Sequence, residues 1–444
     1  MSPRLSCCAR ARPFALATTA LVAACAPRPT PAPAIDLEAA PSAEKSAVAP
    51  VVPRSVSAPR TELHVLVGGD LLPHRPMLLP VERLHAGLLP LAPLLATADV
   101  AIANYETATG DTSRFTGPHN MSLAAPAAWL AEAGTDFHVV TVANNHACDL
   151  GRAGLSATLA AAKEAGVTVV GGDADHDPWK ARVIDERDGR KVCAVAWTTF
   201  VNAEGKACKG SGELAIAGFD HKGRIAVETA IARARHGGCD GVVAIFHGGE
   251  EYVGPVWGVR EQAKAAADAG ADVVVIHHPH IPAPAVVLVA HDGRKVPVFE
   301  SVGNLLSNQG ESYELPNFPV SKNHLISQNA WTRLGVLADL SWSWAADAPA
   351  HERPTFSYGY HLTWTDNDHL KNRAEPMPHI STRPLDPTAD RALIQRLSSD
   401  SRGPVRLFTD PCWLEAGGAR CVMRDTRSYS DAVASAAAVA AVGM

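Results

Sequence analysis

From Thr61 onward, short apolar runs alternate with Ala-rich stretches of helical spacing. "LHVLVGGD" predicts a strand ending in a Gly-Gly-Asp turn, "ADVAIANYET" a strand over Val100–Ala103, and "FHVVTVANNH" a strand with a polar end. "GRAGLSATLAAAKEAG" predicts a helix, with Leu155, Leu159 and Ala162 on one side and Gly166 as its stop. "VTVVGG" predicts another short strand. "GVVAIFHGGEEY" and "ADVVVIHHPH" repeat the scheme around a helix over Gln262–Ala269 that Gly270 ends, and "VPVFESVGN" closes the series. Such alternation implies an α/β protein whose sheet is covered by helices. Past Ser341 the pattern thins. "RPTFSYGYHLTW" reads as one or two aromatic-rich strands, "DRALIQRLSSDS" as a helix, and "SDAVASAAAVAAVGM" as a terminal helix or a tail.

The first sixty residues do not follow this pattern. Arg4, Arg10 and Arg12 precede an apolar run, Phe14 to Ala24, that is too short to span a bilayer as a helix. It ends in "LVAAC", which resembles a bacterial lipobox, with Cys25 as the residue to be lipidated; a plain secretory leader is the alternative. Residues 26–60 are dominated by Ala, Pro, Ser and Val and cannot bury enough surface to fold. The expected organisation is a leader over 1–24, a tether over 25–60, a folded domain over 61–345, and an extension over 346–444 partly packed on it. The protein is expected to be exported and lipid-anchored at the bacterial cell envelope.

The composition allows a sizeable core, with 47% hydrophobic residues in 444. A net charge of -6 with scattered Lys and Arg excludes non-specific nucleic-acid binding, which needs a basic face. Of nine cysteines, Cys7, Cys8 and Cys25 belong to the leader region. Cys412 and Cys421 flank a short polar stretch and are candidates to pair, whereas Cys148 and Cys239, in or beside apolar segments, are expected to be buried thiols.

Polar residues gather where each predicted strand ends: Asp70, then Asn104 and Glu106, then Asn144, Asn145 and His146, then His247, and finally His277, His278 and His280. In α/β folds, functional groups collect at the carboxyl ends of strands. Carboxylates, imidazoles and an Asn carbonyl are the donor set of a divalent cation such as Mn, Fe or Zn. No Cys pair accompanies them, so a catalytic site with an open position is expected rather than a structural zinc knot. Taken singly, Asp70 can be a turn residue, Glu106 a solvated acid and Asn144 a turn residue bonded to its own backbone. Asp149 can orient His146 or cap the helix that follows. No G-x-S-x-G is present, which argues against a serine esterase.

The runs "GGDLLPHR", "ADVAIANYE", "VVTVANNHACDLGRAGLSATLAAAKEAGVTVVGG", "HGGEEY", "GADVVVIHHPH" and "ESVGNLL" resemble the CapA family over roughly residues 61–340. That family comprises capsule and poly-γ-glutamate biosynthesis proteins, related in fold to calcineurin-like metallophosphoesterases. The resemblance implies a layered sheet with flanking helices and one or two divalent metal ions. It implies Asp70, Glu106, Asn145, His247, His278 and His280 as metal ligands and His146 as the acid for a leaving group. The resemblance also implies Arg75 as an anion-binding residue and Glu251 as an acid supporting the ligands. From their own positions, Asp149 is a candidate partner of His146, Asn104 and Asn144 stand beside the ligands as supporting residues, and His277 is expected to point away from them and to bond behind them.

The sequence departs from the pattern at Leu72, where the wider superfamily has a His, and at Ile276, Gly248 and Leu305. The first departure bears on the second metal position, the others on pocket shape. Two functions follow as expectations. One is a metal-dependent hydrolase or phosphoesterase acting on an anionic polymer or its precursor. The other is a non-catalytic, membrane-anchored assembly component beside a capsule synthase.

Overall fold

The computed structural model describes residues 60–73, 78, 80–113, 123–202, 208, 210–311, 329–345, 347–349, 352–368, 379–400, 403–414 and 420–423. Cys25, the leader, the tether, Arg75 and the Ala-rich C-terminal stretch lie outside them. The described residues belong to one compact unit that begins at Ser57.

Their strands form sheets of nine, six and two strands. The main path of the first sheet runs Ile380–Pro384, Thr355–Asn367, Leu334–Ala345, Arg60–Leu71, Val100–Tyr105, Val139–Thr141, Thr168–Val170. The second runs Pro282–Val289, Lys295–Val302, Val273–His277, Gly241–His247, Arg190–Thr198, Arg182–Arg187. Four neighbours in each, Arg60–Leu71 to Thr168–Val170 and Lys295–Val302 to Arg190–Thr198, are parallel, so their carboxyl ends share one edge.

Side-chain alternation explains the layering. In Arg60–Leu71, Val65 and Val67 face the core between the sheets, while Leu66 faces helices. Val243, Ile245, Val273 and Val275 face the same inter-sheet core, and Val242, Ala244, Phe246, Val274 and Ile276 turn to the other side. Successive side chains of a strand point to opposite faces, so a strand apolar at every position must be covered on both. Helices Val81–Leu88, Ala127–Asp136 and Gly151–Ala165 cover the first sheet through Leu84, Trp129 and Leu155. Helices His221–His236 and Trp257–Ala269 cover the second through Ile231 and Ala263. The result is helix, sheet, sheet, helix. This is the layered α/β fold expected from the alternation. Each fully buried Val, Leu or Ile contributes roughly 1.5–3 kcal/mol, so the three apolar clusters supply the main driving force.

Several expectations are corrected. The helix over Gln262–Ala269 starts at Trp257, and its N-terminus has no side-chain cap to mark it in the sequence. The strand series does not close at "VPVFESVGN": Leu334–Ala345 pairs antiparallel with Arg60–Leu71 and with Thr355–Asn367. Cys148 and Cys239 are not free thiols but are bonded to Cys208 and Cys193. Their partners lie 60 and 46 residues away and meet them only through tertiary packing. Cys412 and Cys421 are bonded, as their close spacing suggested. No helix among the described residues is long and apolar enough to cross a membrane.

Candidate metal centre

The parallel strands of both sheets carry their polar ends to one place. In the first sheet Asp70 stands in register with Asn104 on one side and Asn304 on the other. This close approach requires Gly69, because a Cβ there would fall on the carbonyl oxygen of Gly303. Glu106 follows the next strand, its N–H donating to Leu71 O at 3.1 Å. In the second sheet His247 pairs with His277 at the strand ends, and His278 and His280 lie just beyond. His278 and His280 have φ of 101° and 57°, left-handed values that cost a non-glycine residue about 1–3 kcal/mol and persist where surrounding structure imposes them.

The two edges meet through side chains. His247 Nε2 lies 2.7 Å from Asn145 Oδ1, 3.1 Å from His278 Nδ1 and 3.4 Å from Glu106 Oε1. His280 Nδ1 lies 3.0 Å from Asn304 Oδ1 and 3.2 Å from Asp70 Oδ2; its Nε2 lies 3.8 Å from Glu106 Oε1. Asn104 donates to Asp70 Oδ1 at 2.8 Å, and its Nδ2 lies 3.2 Å from His247 Nδ1. Three overlapping groups each bring their ligand atoms within 4.8 Å of one another. They are Glu106, His247 and His278; Asp70, Glu106 and His280; and Glu251, His278 and His280.

The remaining expected residues flank this cluster. Asn144 accepts from the His146 N–H at 3.1 Å, a local turn bond, and its amide donates to Asn104 Oδ1 and Tyr105 O. His146 Nδ1 lies 2.6 Å from Asp149 Oδ2. The helix Gly151–Ala165 has no side-chain cap, so Asp149 serves the imidazole rather than the helix. A carboxylate at Nδ1 fixes that nitrogen as the donor and leaves Nε2 for other work. His277 points away from the ligand cluster, its Nε2 donating to Gly68 O at 2.9 Å.

Asn202 and Asn304 were not singled out in the sequence. Asn202 Nδ2 lies 3.2 Å from His146 Nδ1, and its Oδ1 accepts from Asn145 Nδ2 at 3.2 Å. Asn304 stands in "SVGN", a motif noted whole; nothing local to either residue marks its contact. Leu72 is 2% exposed and offers no donor.

The electrostatics suit a cation. Burial raises the Glu106 pKa well above its ordinary value, and the charges of Asp70 and Glu251 push it further. Both Glu106 oxygens are buried without a hydrogen-bond partner. Burial likewise lowers His247 far below its usual range, helped by His278, and brings His278 to about 3, helped by His280. These rings are therefore neutral at pH 7, with lone pairs available to a metal. Burial would raise Asp70, but its bond to His280 and the charges of His277 and His280 outweigh this and hold it low. An orphaned carboxyl group among neutral imidazoles, with an Asn carbonyl, fits a divalent cation. The fit rests on the donors themselves.

Residues 64–309 match the model of the family described as "Bacterial capsule synthesis protein PGA_cap". The chain belongs to that family. It is 34% identical over 191 residues to the capsule biosynthesis protein CapA of Bacillus anthracis, 41% of this chain and 42% of that protein. It is 30% identical over 176 residues to the PGA biosynthesis protein CapA of Bacillus subtilis (strain 168), 39% of this chain and 44% of that one. The match thus spans less than half the length of either relative. A crystal structure of a hypothetical protein from Thermus thermophilus covers 68% of this chain and 99% of its own, at TM-score 0.38 and 16% identity, a likeness too distant to bear on function.

Proposed function

We propose that this chain is a divalent-cation-dependent hydrolase of the cell envelope that serves the biosynthesis or processing of an anionic capsule polymer. The observation that carries the chemistry is Glu106: two buried carboxylate oxygens without partners, facing imidazoles that burial keeps neutral. An uncompensated charge in such a place is costly, and a cation relieves it. Asp70, Glu106, Asn145, His247, His278 and His280 are the residues that would hold it. When bound, such an ion polarises a phosphoryl or carbonyl oxygen and activates water.

The rest of the work falls to the chain. Asp149 accepts from His146 Nδ1–H and stabilises the imidazolium form, whose Nε2–H can pass its proton to a leaving oxygen or nitrogen as the bond to phosphorus or carbon breaks, leaving the ring neutral. Asn202 Nδ2 donates to Asp149 Oδ1 at 3.4 Å and its Oδ1 accepts from Asn145 Nδ2, which ties the carboxylate holding the ring to Asn145. The names of the Bacillus relatives support the capsule setting; either a phosphoester or an amide of a polyglutamate suits this arrangement. Lipidation at Cys25 would keep the site beside the membrane and the polymer machinery, including capsule synthase components. Leu72, buried and without a donor, favours a second reading, a non-catalytic assembly component.

The test compares His146→Ala and His278→Ala for cation content and for cleavage of a phosphodiester and a γ-glutamyl polymer. His146→Ala is expected to keep its cation and lose roughly 10²–10⁴ in rate, the usual contribution of a general acid. His278→Ala is expected to lose cation and activity together. A wild-type protein that holds its cation yet cleaves neither substrate, with both variants supporting normal capsule, would sink the catalytic reading.

A further inference from the structure

We propose that the cleft between the first turns of helices His221–His236 and Trp257–Ala269 is a saccharide-binding site, in which a sugar ring of a polymer chain rests on Trp257 and Phe219. The inference concerns binding and does not require the cation centre to be catalytic. Trp257 is 74% exposed and Phe219 43% exposed. They line one cleft of about 250 Å³ together with Asp220, His221, Arg224 and Glu261. A single exposed apolar residue needs no explanation, but two aromatic side chains sharing a concavity with charged groups do. The floor of the cleft is fixed. The Phe219 ring lies against the backbone of Gly258, where a Cβ would meet three of its carbons at 2.7–3.0 Å. Gln262 accepts from Trp197 Nε1 at 2.7 Å and donates to the carbonyls of Ala217 and Gly218, so the segment that carries Phe219 is tied to the helix that carries Trp257.

The lining selects the occupant. Arg224 and His221 are matched by Asp220 and Glu261; Arg224 Nη2 lies 3.1 Å from His221 Nδ1, and Asp220 accepts from the Gly223 N–H at 2.8 Å. A polyanion such as a glutamate chain asks for a lining of one basic sign. A bilayer asks for a protruding apolar face rimmed with Lys and Arg. A concave lining with acids and bases in balance serves neither. A sugar ring has an apolar C–H face to lay on an aromatic ring, and hydroxyls at its edge that donate to carboxylates and accept from a guanidinium. Position agrees with this occupant. Both helices follow parallel strands, Arg190–Thr198 and Gly241–His247, so both begin at the sheet edge where the cation cluster lies. A Cβ on Gly249, in the loop just after His247, would stand 3.3 Å from Val259 and 3.8 Å from Pro279, the residue between His278 and His280. The first turn of the Trp257 helix therefore packs beside the histidine segment, and a chain resting on Trp257 lies at the rim of the centre.

The experiment is titration calorimetry of the purified full chain with hexasaccharides of glucose, galactose and N-acetylglucosamine, with a γ-glutamate hexamer and phosphatidylglycerol vesicles as competing probes. The wild type is expected to bind at least one hexasaccharide with a Kd of about 1 mM or tighter. Saturation-transfer difference spectra should place the strongest signals on the C–H protons of one ring face. Trp257→Ala removes an exposed side chain without opening the core and is expected to weaken binding by roughly tenfold or more, as truncating an aromatic anchor does. Trp257→Phe keeps a ring face and is expected to recover most of the affinity. Circular dichroism establishes that each variant is folded. No binding of any hexasaccharide, or binding that Trp257→Ala leaves unchanged, overturns the assignment. Trp257-dependent binding of the glutamate hexamer or of the vesicles alone overturns it too, giving the cleft to a polyanion or to a membrane surface.

Discussion

Glu106→Gln tests the candidate centre through stability, without any substrate. In the cation-free protein at pH 7, Glu106 is a buried carboxyl with no hydrogen-bond partner and other carboxylates nearby. At pH 7 the group either bears an uncompensated charge or takes up a proton against its ordinary 4.5, and the second route caps the penalty at about 3.4 kcal/mol. A neutral amide left unsatisfied in the same place costs about 1–3 kcal/mol. The substitution is therefore expected to stabilise the cation-free protein by about 1 kcal/mol. The unit Ser57–Met444, about 390 residues, has an unfolding entropy near 0.8 kcal/mol/K at the average per-residue value, so Tm should rise by about 1–2 °C.

The sign with pH follows from linkage. The folded-state pKa of Glu106 is raised above its ordinary 4.5, so its stability contribution is fully present below 4.5 and is lost as pH rises through the folded value. The advantage of Gln should accordingly appear at neutral pH and vanish below about pH 4.5. With Mn²⁺ at a hundred times its Kd, the wild type should gain about 2.7 kcal/mol, or about 3 °C, and the variant should gain little. Scanning calorimetry over pH, with and without the ion, gives all four quantities. A variant less stable than the wild type without metal at pH 7, or one keeping the full Mn²⁺ shift, would refute the reasoning.

Two further outcomes are expected. Replacing Cys148 and Cys208 by serine removes a bridge closing a 60-residue separation, worth about 4 kcal/mol in the chain-entropy model. Because Cys148 lies between His146 and Asp149, this variant should also turn over more slowly while keeping its cation; unchanged rates would show that the bridge does not steady His146. Cys25→Ser should abolish palmitate labelling and move the protein out of the membrane fraction. Labelling that persists would refute the anchor.

The sequence alone marked every strand of the two parallel runs except Arg190–Thr198, and the chemistry at their ends. A continuous apolar run such as that in "LHVLVGGD" or "VVVIHHPH" is a local property, and a polar residue where such a run stops can be read without knowing its neighbours. The same local signal placed Asn144 in its turn and Gly166 at its helix end, where φ is 72°. Tertiary structure decided everything that depends on which strands lie side by side. Cys193 meets Cys239, Asn202 reaches His146 and Asn304 reaches His280 because strand order brings together segments 24 to 56 residues apart. Glu251 changed from a supporting acid to a neighbour of two histidines because its turn is tied to Pro279. Periodicity records which face of an element is buried; it holds no record of the partner that buries it, since many apolar surfaces would serve equally well.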